Sequence, residues 1–307
     1  MSFLALVTAL LIEQWRPLAD RHRLYALLER YLGLLERLIG EAASRPGAGA
    51  WLLAVLAPSL CAWAAYSAIA SASPLLALLL NAGVLYLTMG FRQQSHYFTE
   101  IQLALKENDI VRARDALSAW RHADAGDMDR EMVARLALEE AFIAAHQRVF
   151  AVAFWFVLLP GPVGPILYRL AMFLADRWGE RGRPESAGPD SFSRTAFAAL
   201  DWLPVRFTAA TFAVVGDFED SAFCWRTQSA SWPDQGLGVV LAAGAGALGV
   251  KLGMPIVDSG EVLDRPELGL GDAADEGHLD SLVGLVWRAL VVWLVLLLLM
   301  ALAGAAT

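Results

Sequence analysis

The sequence predicts an all-α, polytopic integral membrane protein, with amphipathic cytoplasmic helices and one membrane helix broken by proline and glycine. Three observations predict it. Hydrophobic residues fill 57% of the 307 positions and charged residues only 18%, whereas soluble domains run at about 45–50% apolar and 25% charged. Several stretches approach the roughly 20 apolar residues that cross a bilayer as a helix. The polar stretches between them carry apolar residues at helical spacing. The same composition points away from a soluble enzyme and from disorder. A net charge of −8 and a pI near 5.2 leave a nucleic-acid partner without electrostatic footing, so the lipid bilayer is the expected partner. Cys61 and Cys224 lie far apart, and Cys61 sits in an apolar run, so free buried thiols are expected.

Residues 1–49 read as an N-terminal apolar segment followed by an amphipathic helix. Met1 to Ile12 is apolar and has no basic residue ahead of it, unlike a signal peptide, so it is expected to remain as a short membrane-inserted or interfacial helix. Asp20 to Leu38 carries Leu24, Leu27, Leu28, Tyr31, Leu32, Leu35 and Leu38 as one stripe. Residues 50–91 read as a transmembrane hairpin: Ala50–Ala70 and Pro74–Phe91 are uncharged and meet at Ser71–Pro74. Residues 92–148 form a cytoplasmic helical region, with a turn at Asn108-Asp109 and a cap at Asp127 or Asp129. Residues 149–253 hold a broken membrane helix and interfacial helices. Pro160-Gly161-Pro162-Val163-Gly164-Pro165 divides Val149–Ala175 into two expected half-helices of about ten residues. Gly244, Gly246 and Gly249 are expected to line a close helix contact. Their dinucleotide-like spacing lies in an apolar segment without an acidic partner, and carries little weight. Residues 254–283 are an acidic loop. Asp258–Asp280 has eight acids against the single Arg265 and reads as flexible. Residues 284–307 are a C-terminal transmembrane helix. Arg16, Arg21, Arg23, Arg30, Arg37 and Arg45 precede the hairpin, and Arg92, Lys106, Arg112, Arg114 and Arg121 follow it. Both flanks are therefore expected in the cytoplasm and the turn outside; the basic stretch 176–206 is expected in the cytoplasm too.

Candidate site residues are few. His96 and Glu100 stand four apart on a helix, but two ligands make no metal site, so an interfacial hydrogen bond between them is expected. Glu139 and His146 share a helix face just ahead of an apolar run. A carboxylate beside a histidine at a membrane can perform acid–base work, although a solvated helix end anchoring the next segment has the same pattern. Arg135 precedes Glu139 by one turn. Asp201 and Arg206 flank Trp202-Leu203-Pro204, which also suits an interfacial anchor. The expected polar site is Arg135, Glu139, His146, Asp201 and Arg206, with Glu139 paired to Arg206 directly or through Arg135. No metal site and no cofactor are expected.

The residues also carry a resemblance. Ala104-Leu105-Lys106-Glu107-Asn108-Asp109-Ile110, Ala113-Arg114, Ala134-Arg135-Leu136-Ala137-Leu138-Glu139, Phe154-Trp155, Tyr168-Arg169 and Leu203-Pro204-Val205-Arg206 follow the order of motifs in the CobD/CbiB family of cobalamin-pathway membrane proteins. The family's next polar pairs fall here on Ile143-Ala144 and His146-Gln147, a departure that leans away from catalysis. Leu200-Asp201-Trp202-Leu203-Pro204-Val205-Arg206 resembles a motif of the AmpE branch, whose layout of a short apolar start and a C-terminal membrane helix is similar. That resemblance implies a bacterial inner-membrane, multi-pass modulator of the β-lactam or envelope response. The alternative it implies is adenosylcobinamide-phosphate synthase-type amide bond formation, with ATP and magnesium. A second alternative, a small-molecule transporter, rests on the broken helix alone.

Overall fold

The computed structural model describes residues 2–15, 21–39, 48–181, 192–258 and 261–306. Arg16 and Arg45, and Arg183 of the basic stretch 176–206, lie outside the described residues. The helices are α1 (Ser2–Trp15), α2 (Arg21–Ile39), α3 (Ala48–Ala72), α4 (Pro74–Met89), α5 (Phe91–Lys106), α6 (Ile110–Arg121) and α7 (Arg130–Ala145). A π turn at His146–Phe150 leads into α8 (Ala151–Leu158), followed by α9 (Val163–Arg181), α10 (Phe192–Val215), α11 (Phe218–Gln228) and α12 (Gln235–Leu248). Short strands β1 (Leu252–Gly253), β2 (Ile256–Asp258), β3 (Glu261–Leu263) and β4 (Glu267–Leu268) precede α13 (Glu276–Ala306). The chain is an all-α membrane protein. Among the described residues, four helical stretches, 48–72, 130–158, 192–215 and 276–303, are long and apolar enough to cross a bilayer. Only 17% of the apolar window of α3 is buried inside the protein, so its side chains face outward as a lipid-facing helix requires.

The chain divides into two compact units. The first comprises Met1–Gly90 and Ala151–Trp202. Ser73 caps α4 by accepting from the Leu76 N–H, Pro74 supplies a fixed φ at its first position, and Gly90 ends it in the left-handed region. Ala5, Leu6 and Ala9 of α1 are fully buried and α1 packs on α4. Arg169 of α9 donates to the carbonyls of Thr88 and Met89, the last residues of α4. The Trp178 indole donates to Glu36 across α9 and α2.

The proline break lies where the sequence placed it, but its flanks differ. The first is the end of a 29-residue helical stretch, Arg130–Leu158, and the second is the 19-residue α9. The sequence places 92–148 in the cytoplasm and starts the membrane helix at Val149, and the π turn at His146–Phe150 carries α7 across that boundary. Cys61 is also a correction: it is exposed on α3, while Cys224 is buried, and both are free thiols. An apolar neighbourhood in sequence describes a lipid-facing helix as well as a core.

The second unit comprises Phe91–Phe150 and Leu203–Thr307, and α7 runs through its core. Around it pack α5, α6, α12 and α13. Phe142, Phe150, Phe212 and Trp293 form a chain of ring contacts with centroids 5.4–5.7 Å apart. Two of the three expected glycine contacts exist. A Cβ on Gly244 would lie 2.4 Å from the Phe142 ring, and one on Gly246 would lie 2.5 Å from the Asp220 carbonyl oxygen. Gly249 instead ends α12 at φ +65° with open space around it. The acidic stretch carries short paired strands that composition did not suggest. Among the described residues, β1, just ahead of it, pairs antiparallel with β4, and β2 pairs with β3. Strands of two or three residues are too short to show alternation in the sequence.

Candidate functional site

The polar cluster of the second unit is built on α7. Asp129 caps this helix by accepting from the Met132 N–H at 2.8 Å. Arg135 and Glu139 follow one turn apart, so their side chains stack on one face. Both are buried, on a helix whose other buried residues are Val, Leu, Ala and Phe. A buried carboxylate needs hydrogen-bond partners and a countercharge, and the loop after α12 supplies them. The Gly253 N–H donates to Glu139 Oε1 at 2.8 Å. Arg265 donates from Nη1 to Oε2 at 2.7 Å and from Nη2 to Oε1 at 3.4 Å.

The loop has the backbone that this grip demands. Gly253 sits at φ +78°, and a Cβ there would lie 2.0 Å from the Pro266 carbonyl oxygen, so no other residue fits. Met254 follows at φ +65°, uncommon for a side-chain-bearing residue. Arg265 also donates to the carbonyls of Gly253 and Met254 and lies 5.2 Å from the centroid of the Trp232 ring. Every edge of its guanidinium is thus used, and its face stacks on an indole. The sequence reading missed Arg265, Gly253 and Trp232. The available signal was a lone arginine before Pro266 within a run of acids.

Arg135 is held differently. Its Nη1 lies 3.7 Å from the Met254 sulfur and 3.8 Å from Glu131, and its buried Nε has no partner. It does not bridge Glu139 to Arg206; the partner of Glu139 is Arg265. Arg206 is half-buried on α10 and is not among the groups bonded to Glu139. Next to Glu139, Glu140 pairs with Arg121 at 3.4 Å. His146, in the π turn, is fully buried, and its Nδ1 lies 2.9 Å from Thr208 Oγ1. Π turns within helices recur at functional sites because they redirect side chains.

The remaining candidates stand elsewhere. Asp201 belongs to the first unit, where it accepts from the Tyr168 hydroxyl at 3.0 Å, both groups buried. His96 is exposed and lies beside Tyr97. Glu100 binds Arg112 at 2.6 Å rather than His96, and that guanidinium holds its carboxyl below the usual range. The intended His–Glu bond fails because α6 brings a permanently charged partner to the same carboxylate.

The family described as CobD/Cbib protein matches residues 4–286. The chain is 35% identical to the cobalamin biosynthesis protein CobD of Stutzerimonas stutzeri, over 96% of this chain and 97% of that one. It is 33% identical to the CobD of Chromobacterium violaceum over 95% of this chain and 94% of that one. A more distant likeness, 24% over 88% of each chain, is to the cobalamin biosynthesis protein CbiB of Salmonella typhimurium. No solved structure matches. These relatives overturn the expectation of an AmpE-type regulator of the β-lactam or envelope response: the likeness runs along the whole chain and to proteins named for cobalamin biosynthesis.

Proposed function

The chain belongs to the CobD/CbiB family, and from that premise we propose that it works in cobalamin biosynthesis as a multi-pass protein of the bacterial inner membrane. The reaction is amide bond formation of the adenosylcobinamide-phosphate synthase type, joining an amine to a corrinoid carboxylate with ATP. The observation that carries this reading is the near-complete coverage of a 35% identical CobD, whose length this chain shares. The Glu139 cluster supports it. Its acid and Arg135 fall in the family-like run Ala134–Glu139, and the structure adds a loop glycine and an arginine fixed on that acid.

In this cluster Glu139 is a positioning residue. Its two oxygens are filled by Arg265 and the Gly253 N–H, so it fixes the loop 250–268 against α7 rather than offering a free base. Among the described residues, no three His, Cys, Asp or Glu side chains gather as metal ligands. Magnesium, in this reading, enters with the nucleotide. The test is complementation of a strain lacking its own family member, scored as growth that depends on corrinoid synthesis. Restored growth is expected, with Arg265→Ala abolishing or sharply lowering it. No growth from a protein shown to reach the membrane would overturn the proposal.

A further inference from the structure

Arg135 has five N–H donors and almost nothing to give them to. It is 4% exposed on the core helix of its unit. A thioether is a weak acceptor, and the Met254 sulfur lies at 3.7 Å. The Glu131 oxygen at 3.8 Å is beyond hydrogen-bond distance, and that side chain is 46% exposed. Nε has no partner at all. Arg265, by contrast, is satisfied on every edge. Glu139, the buried carboxylate of the cluster, bonds Arg265, and among the described residues Arg135 is left with the half-exposed Glu131 at 3.8 Å as its ion-pair partner. A buried charge so weakly paired is costly, and a native protein that keeps it requires an explanation.

We infer that Arg135 receives an oxyanion, a carboxylate or phosphate group of the ligand bound at the Glu139 cluster. The inference rests on reading that cluster as the functional site. The guanidinium fork matches both anions in two parallel bonds. Glu131, loosely held at the exposed end, is the carboxylate that the anion displaces. Met254 covers Nη1 from a left-handed backbone position, and its flexible side chain can swing aside to free that donor. Strained non-glycine positions of this kind concentrate at ligand clamps.

The test uses the full chain in detergent, with thermal unfolding followed against inorganic phosphate and, separately, sodium acetate. Sodium chloride at matched ionic strength is the control. A saturable rise in Tm with at least one anion is expected, and which anion produces it identifies the group. Arg135→Gln should weaken half-saturation about tenfold or more, the loss of roughly one charged contact. Arg135→Lys, which keeps the charge without the fork, should fall between. Glu131→Gln should tighten binding several-fold, and it keeps the inference testable should Arg135→Gln not fold. No saturable rise in the unmodified chain, a rise unchanged in Arg135→Gln, or no effect of Glu131→Gln would each overturn it. Complementation by the unmodified chain alongside such a result would sink the anion site while leaving the biosynthetic reading standing.

Discussion

Removing either partner of the Glu139–Arg265 pair strands the other in a buried site, at a cost of about 3–5 kcal/mol. Glu139→Ala and Arg265→Ala should therefore each lower the Tm in detergent markedly, and the double variant should cost clearly less than their sum. Arg206→Ala should add to Glu139→Ala without such coupling; a double-mutant cycle by thermal unfolding separates the two cases. Glu139 and Arg135 were legible in the sequence because helix periodicity fixes which residues share a face. Their partners were not. Arg265 reaches Glu139 across 126 positions, and the acids around it carry the composition of a solvated loop. Gly253 was visible only as one glycine among several, since its φ and the nearby Pro266 carbonyl are tertiary facts.

Close backbone approach decides how α11 and α12 meet. Gly246→Ala drives a Cβ toward the Asp220 carbonyl, which cannot rotate away, so a loss of about 1–3 kcal/mol is expected. It should be read as a lowered Tm of the membrane-extracted protein. On the polar side, Arg112 joins Glu100 and Glu107 and ties α5 to α6. The folded pKa of Glu100 is depressed by that guanidinium below its ordinary 4.5. Its contribution is therefore present above the unfolded value and lost as pH falls through the folded one. The Tm difference between the unmodified chain and Glu100→Gln should be small, present at neutral pH, and vanish below the ordinary carboxylate range. The helices themselves were legible from apolar spacing and caps, Asp109 and Asp129 among them. The continuity of α7 into α8 was not, because proline and charge cues mark ends while a π turn leaves no comparable mark.

At the scale of the molecule, charge asymmetry predicts the orientation in the bilayer. In a Cys61→Ala background, Ser71→Cys at the uncharged hairpin turn should label from outside the cell. Asp124→Cys, exposed between α6 and α7, should label only after the membrane is permeabilised. The reverse pattern would invert the topology. The membrane class was legible because composition is a sum over the chain. The branch was misread because one short motif, Leu200–Arg206, outweighed a likeness spread thinly over residues 4–286. Distributed identity of this kind is invisible to any single spacing.

A hairpin that crosses the bilayer, as the sequence predicts, would also set a mismatch with the lipid around it. At about 1.5 Å per residue, α4 with 16 residues spans about 24 Å and α3 with 25 residues spans about 37 Å. A hydrocarbon core of roughly 30 Å suits neither. Arg169 donates to the last carbonyls of α4, so with the hairpin across the bilayer, as the sequence predicts, α3 would tilt and the bilayer would thin beside α4. The protein should accordingly unfold at higher temperature in short-chain phosphatidylcholine than in long-chain, and Arg169→Ala should flatten that dependence on acyl length.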